Sequence, residues 1–446
     1  MAPLRYSTAV FRRFLDLQQR HWRRRGPLGP SQVMIGLMTM SVLGSRGYEQ
    51  TMDNMKEQLG SALGWPDNDD APTASAFCQA RRKLPAQECE CMASQVYDLC
   101  TIARAEAAIG YGGMRLLAED GTKLPLPAYA VLRNHFGCPS QGEGRELEGP
   151  QASLTVLWDV GANQPVTWRL GPYLDSERAQ ADGMMSALRR GDLLLCDRNF
   201  MSRRFLTQVH QQHADVLLRV CTTGIGVLQE VREFVASAAT DQMIDVATRD
   251  EHEKPLEGMP CIRVRLIRNT LPDGSSAVYL TTLLDQQQHP AQRLIDLYAQ
   301  RWRIETAFRE MKVWHGLEHF RARHVDGIAQ EVAAIMIFLL LAGELEAQVR
   351  ATYPDAAGQA VQPASPEQAV AIRPTIRFNR RIVADCAVKI LRAALTGTGA
   401  EKTFAYAMRR IWRYRQTIKP GRSFPRQRKS SPRGWKPRGT KGKGRP

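Results

Sequence analysis

Between Asp192 and Asp197 the chain reads Leu-Leu-Leu-Cys, an unbroken apolar run bounded by charge at both ends. A run this short and this apolar fits a strand buried on both faces. Such a strand must sit inside a sheet with a layer packed on each side, which is compatible with an α/β class. The surroundings agree with it. Residues 114–118, 152–160 and 165–170 are strand-like, with a Gly161-Ala162-Asn163 turn between the last two, and 176–188 reads as a helix. A second β-rich stretch follows at 216–220, 243–246, 261–267 and 277–284, with the turn signal Pro272-Asp273-Gly274 inside it. Helical periodicity returns at Pro290, runs past Lys312, and recurs over 329–350 and 404–414, with a Pro- and Ala-rich linker near 353–366.

The first hundred residues read as helical, with Val33, Ile35, Leu37, Met38, Met40, Val42 and Leu43 as the apolar positions. Thr73 or Ser75 is placed to cap a helix that ends in Arg81, Arg82 and Lys83 and is stopped by Pro85. A short basic helix after a polar turn suits a helix-turn-helix DNA reader; a solvated basic helix is the other reading.

Charge narrows the partner. The 446-residue chain carries a formal +16, and eleven Lys or Arg with no acid lie between Lys419 and Arg445. That tail, rich in Gly, Pro and Ser, is expected to be disordered when free. Arg422, Arg426, Arg428 and Lys429, with Phe424 and Trp435 interleaved, fit a counterion-releasing arm on nucleic acid, or a solubilising tail. A membrane partner is not expected, because the apolar run 332–343 is about a dozen residues against the roughly 20 that a spanning helix needs. The N-terminus lacks a secretory pattern, and nine cysteines without a CxxC pair read as reduced thiols, so the expected location is cytoplasmic. His315 and His319 have helical metal-ligand spacing, but Gly316 between them and the lack of a third ligand weaken that reading.

Three acids stand out by position. Asp120 follows the apolar run 114–118 and precedes Gly121-Thr122; Asp197 ends the apolar strand and precedes Arg198-Asn199-Phe200. Carboxylates at strand ends meet ligands while a rigid sheet holds them, although either aspartate alone reads equally as a turn or cap residue. Glu305 belongs to the set Tyr298, Arg301, Glu305 and Lys312, which share an arc of about 60° on a continuous helix. Leu297, Ile304, Phe308 and Met311 form an adjacent apolar seam. An acid flanked by two cations and a phenol can complete a metal site beside phosphate-binding groups, or be a surface ion pair. Glu177, on the expected helix before the second aspartate, receives no role.

The spacing Tyr-x2-Arg-x3-Glu-x6-Lys at 298–312 resembles the signature of the DDE transposases of bacterial insertion sequences, insertion element family four. The Asp120-Gly121-Thr122 and Asp197-Arg198-Asn199-Phe200 segments resemble that family's two aspartate motifs. The resemblance covers roughly residues 30–430. It implies a ribonuclease H-like core, a mixed sheet flanked by helices, in two parts at 106–206 and 291–350, interrupted by a β-rich insertion at 207–290. It implies an N-terminal helical DNA-binding domain at 1–105, a helical region at 351–417 and the basic tail at 418–446. Asp120, Asp197 and Glu305 would be the catalytic acids and would bind two Mg²⁺ or Mn²⁺ ions. Tyr298, Arg301 and Lys312 would hold the terminal phosphate. Arg81, Arg82, Lys83, Arg198, Arg422, Arg426, Arg428 and Lys429 are the further DNA-binding candidates.

The implied partners are double-stranded DNA, as terminal inverted repeats and as target, and a second copy of the chain in a synaptic complex. The implied reaction is cut-and-paste transfer of 3′-OH ends in a bacterial cytoplasm, at the nucleoid. Some relatives stack a flipped base on a tryptophan of the insertion; here 207–296 holds no Trp, only Phe234 and Tyr279 as aromatics. A structure-selective nuclease or resolvase on the same core is the alternative. So is a DNA-binding regulator without catalysis, which would have no need of the three acids.

Overall fold

The computed structural model describes Val10, Arg13, Phe14 and residues 27–417, except 43–46, 61–64, 66–71, 108–109, 140–148, 225–226, 251, 253, 272–273, 354–375 and 398. The basic tail, most of the linker and the Pro272-Asp273 turn residues lie outside the described residues.

One sheet organises the chain. Its eight strands are β1 (Arg115–Pro125), β2 (Gln151–Asp159), β3 (Gln164–Pro172), β4 (Asp192–Cys196), β5 (Asp215–Val220), β6 (Asp241–Ala247), β7 (Cys261–Thr270) and β8 (Ser276–Thr281). They lie in the order β3-β2-β1-β4-β5-β8-β7-β6. β1, β2 and β3 form an antiparallel meander, β4 lies parallel to both β1 and β5, and β8, β7 and β6 return antiparallel. The apolar run is β4, every residue of it buried, between two parallel neighbours. The second β-rich stretch does not form a sheet of its own. β5 pairs with β4, and β6 to β8 extend the same sheet.

Alternation sorts side chains into two cores. Leu116, Ala118, Leu193, Leu195 and Leu217 face one, and Leu117, Leu194, Cys196, Val216 and Leu218 face the other. The first face carries most of the helices. Five come from the N-terminal region: α1 (Pro30–Val42), α2 (Tyr48–Leu59), α3 (Ala74–Arg82), α4 (Ala86–Leu99) and α5 (Thr101–Ala107). The second face is covered by α7 (Glu177–Asp182), α8 (Arg203–Gln211) and α9 (Gln229–Ala236), while α6 (Ala130–Phe136) packs between β2 and β3 and the first core. The helix expected over 176–188 is shorter than its periodicity suggests: α7 ends at Gly183 and a 3₁₀ turn follows at Met185–Ala187.

The C-terminal half supplies α10 (Ala291–Tyr298), α11 (Trp302–Trp314), α12 (Val325–Thr352), α13 (Arg380–Thr396) and α14 (Ala400–Arg413). α12 is the post around which the N-terminal helices gather. Among the described residues it is the one helix long and apolar enough to cross a membrane, yet 83% of its apolar window is buried inside the protein. Its polar residues have partners brought from far away in sequence. Glu344 accepts from the Ala103 amide at 2.9 Å, and Gln330 and Glu331 meet Arg81.

Arg81 corrects an expectation. Only 2% exposed, it cannot reach DNA from the folded chain. Its guanidinium donates to Gln330 at 2.8 Å, Tyr48 at 2.8 Å, the Gly327 carbonyl at 2.6 Å and Glu331 at 2.7 Å. It ties α3 to α12, and only Arg82 and Lys83 of that basic run are exposed. Thr73, not Ser75, caps α3 by accepting from the Ala76 amide at 3.2 Å. Removing Arg81 leaves Glu331 buried without its cation, so Arg81→Ala should cost about 3–5 kcal/mol in urea unfolding. A loss below about 1 kcal/mol would contradict a structural role.

His315 and His319 do not converge. His315 is 4% exposed with its ring 5.4 Å from that of Phe338, whereas His319 is exposed. Burial, and secondarily the charge of Arg380, pushes the His315 imidazole down to about 4. The unfolded chain therefore takes up this proton first as pH falls, and stability is lost from about pH 6.5 down to about 4. Relative to His315→Leu, the wild type should lose on the order of 3 kcal/mol between pH 7 and pH 4 in denaturant titrations. A pH-independent difference would contradict this assignment.

Candidate active site

Strand register brings the two aspartates together. β1 and β4 pair in parallel from Arg115↔Asp192 to Ala118↔Leu195, a constant offset of 77 residues (195 − 118). Asp120 and Asp197 differ by the same 77 residues (197 − 120). Continuing the register sets them level, just past the last pair. Alternation puts both on the first face, the side of α10 to α12. Asp120 is not at the end of its strand, as expected, but inside it. β1 continues to Pro125 because β2 pairs with it that far, from Asp120↔Val156 to Pro125↔Gln151. What ends just before Asp120, at Ala118, is the pairing with β4.

Asp197 also serves as a cap: its Oδ1 accepts from the Asn199 amide at 2.7 Å, opening the 3₁₀ turn Arg198–Phe200. Asp120 accepts from the Gly121 amide at 2.9 Å through Oδ1, while its Oδ2 faces Arg301 Nη1 at 3.4 Å. Burial pushes the Asp120 carboxyl up to about 6; the Gly121 amide and Arg301 work against that, and the charges of Glu177 and Asp197 add to it.

The signature helix is broken where periodicity runs on unbroken. α10 ends at Tyr298, residues Ala299–Arg301 form a 3₁₀ turn, and α11 starts at Trp302. Arg301 and Lys312 reach β1, while Tyr298 lies against Tyr279 of β8. Arg301 sits between two acids, donating from Nη2 to Glu305 Oε1 at 2.7 Å while Nη1 faces Asp120. Leu297, Ile304, Phe308 and Met311 are buried and anchor α10 and α11. Tyr298 is 9% exposed, its ring 5.0 Å from that of Tyr279, and burial pushes its phenol up to about 12. Lys312 is one step further along β1, donating to the Lys123 carbonyl at 3.2 Å and pairing with Glu318 at 2.7 Å. Among the described residues no three His, Cys, Asp or Glu side chains converge closely enough to share one metal ion.

Two neighbours of the site stand out in the structure, and only the first of them has no role by sequence. Glu177, at the start of α7, stands against β1 from the second face. A Cβ on Gly121 would lie 2.5 Å from its Oε1 and 2.7 Å from its Cδ and Cγ. Burial and the charge of Asp197 push the Glu177 carboxyl up, and Lys123 opposes them. The glycine after Asp120 was the available signal: a residue without a side chain there leaves room for a neighbour. The second is Trp302, which adjoins the signature and by sequence either stacks a base or packs; it is 49% exposed with its ring 5.6 Å from the Arg301 guanidinium. The two aromatics of residues 207–296 are committed to the core, Phe234 at 2% and Tyr279 at 7% exposure. Arg198 is exposed beside Asp197.

A profile of the transposase DDE domain matches residues 112–341, a stretch that contains Asp120, Asp197 and the whole 298–312 signature. The chain belongs to the DDE transposase family. Families of this kind work with divalent metal ions, which suits a site made of hard oxygen donors. Transposase InsG for insertion sequence element IS4 of Escherichia coli (strain K12) is 23% identical over 253 residues, which are 55% of this chain and 54% of that protein. The chain thus spans about half the length of that curated relative. The cryo-EM structure of a piggyBac transposase synaptic complex with hairpin DNA aligns with a TM-score of 0.41 at 10% identity, covering 94% of this chain and 83% of that one. That likeness is too distant to argue from.

In this DDE transposase Gly121 should tolerate no side chain while Glu177 is present. Gly121→Ala should lower the thermal midpoint by several degrees, a cost of roughly 1–3 kcal/mol, and Glu177→Ala should restore most of it. Equal destabilisation in the single and double variants would show that Glu177 is not what fills the space.

Proposed function

We propose that this chain is a DNA transposase that binds element-end inverted repeats, cleaves them and transfers the freed 3′-OH ends into target DNA. The observation that carries the reading is the level placement of Asp120 and Asp197 on adjacent parallel strands, with Glu305 joined to Asp120 through Arg301. The strand order β3-β2-β1-β4-β5 supports a ribonuclease H-like core, with β6 to β8 as the insertion extending its sheet. The same reading assigns 1–105 to DNA binding, 351–417 to a helical C-terminal region and 418–446 to a basic arm, with Arg422, Arg426, Arg428 and Lys429 on phosphates. It implies work on chromosomal DNA in a bacterial cytoplasm, as a dimer that pairs two ends.

The residues present fit two Mg²⁺ or Mn²⁺ ions by donor chemistry. All three acids are oxygen donors. Asp120, Asp197 and Glu305 would hold the ions, with water and phosphate completing a hard-ion shell. Bound there, the ions supply a water of lowered pKa and charge stabilisation for the leaving 3′ oxygen. The chain's own groups do the rest. Asp120 must be ionised to hold a metal ion, so protons should compete with metal binding to the metal-free chain as pH drops through about 6. Arg301 neutralises Asp120 and Glu305 in the resting chain and is a planar donor suited to a phosphate entering between them. Lys312 adds a point charge, Tyr298 packs against Arg301 and Tyr279, and the open ring of Trp302 is placed to stack a displaced base.

The test is a strand-joining assay with the element's own ends, Mg²⁺ and target duplex. Asp120→Ala, Asp197→Ala and Glu305→Ala should each lower both cleavage and joining by at least on the order of 10²-fold. Cleavage without joined product would point to a structure-selective nuclease. Retained cleavage in the three variants would overturn the site.

A further inference from the structure

The final helix presents a face that the catalytic site does not use. Phe404, Ala407, Met408 and Ile411 are buried, which fixes how α14 is turned. On the outer side Lys402, Tyr406, Arg409 and Arg413 are all exposed. At 100° per residue they fall within an arc of about 60°, in a stripe about 16 Å long. Among the described residues no ion pair engages Lys402, Arg409 or Arg413. The acid of the neighbouring helix, Asp385, is already occupied by Lys389 and Arg410. Glu401 lies off the stripe, about 80° round the helix.

We infer that this face of α14 is a docking surface for the sugar-phosphate backbone of duplex DNA, with Lys402, Arg409 and Arg413 on phosphates and the Tyr406 hydroxyl as a further donor. The inference rests on the reading of the chain as a DNA-acting protein. Three cations in line without an acid partner among the described residues, with a phenol among them, complement a polyanion with regularly spaced charges; the Arg413 guanidinium lies 5.9 Å from the Tyr414 ring. The stripe also leads into the basic tail: after Arg413 the chain passes Arg415 and reaches the eleven Lys or Arg of 419–445 within a few residues. A second copy is a poorer occupant, because a two-fold contact would set the stripe against itself, cation to cation.

The test is fluorescence anisotropy of a labelled duplex with the full-length chain in EDTA, across a salt titration, without any requirement for catalysis. Neutralising the stripe in a Lys402→Gln, Arg409→Gln, Arg413→Gln variant should reduce the slope of log K against log salt by about 2–3. It should weaken all duplex sequences alike and leave the thermal midpoint unchanged. A single Arg409→Glu reversal serves if the triple variant misfolds, and should lower affinity in the same sequence-independent way. An unchanged slope in a folded variant, with the wild type binding normally, overturns the inference and leaves the transposase reading standing. Altered self-association with an unchanged slope also overturns it, in favour of a second copy. Failure of the wild type to bind duplex at low salt overturns both.

Discussion

The parallel pairing of β1 with β4 is the constraint on which the rest depends. β4 is apolar on both faces and survives only inside a sheet, flanked by β1 and β5 and covered on both sides. Once β1 is its neighbour at an offset of 77 residues, two aspartates far apart in sequence stand level at the point where the strands part. Their geometry follows from the hydrogen-bond ladder and costs no loop ordering. The antiparallel extension of β1 along β2 then keeps Asp120 in a rigid strand rather than a frayed end.

The third acid arrives by a different route. Glu305 comes from a helix pinned through Ile304, Phe308 and Met311 to the first core, and its link to the sheet is electrostatic, through Arg301. The Arg301 guanidinium supplies each of the two carboxylates with a cationic partner. On the proposed function, a phosphate entering there would compete with Asp120 and Glu305 for Arg301. Glu177 presses from the opposite face into the space Gly121 leaves, so the sheet carries acid on both sides at one point of β1.

Much of this was legible in the sequence. β4 matched its run residue for residue, because burial on both faces needs no partner's identity to be recognised. The apolar seam of α10 and α11 was legible for the same reason. What was hidden depended on distant partners. The polar continuation of β1 over 119–125 is a strand because β2 pairs with it, which no local pattern announces. The 3₁₀ turn at Ala299–Arg301 interrupts an uninterrupted helical period. Arg81 looked like an outward cation because its carboxylate partner is 250 residues away. The role of Gly121 was visible only as an absence of side chain beside a key acid.

The most direct test of the account is electron paramagnetic resonance of Mn²⁺ bound to the full chain with an element-end duplex. A site built from Asp120, Asp197 and Glu305 should take up two ions roughly 3.5–4 Å apart, with the spectrum of a coupled pair. Glu305→Gln should remove the coupling while duplex binding persists. A single uncoupled ion in the wild type, or coupling that survives Asp120→Asn, would contradict it.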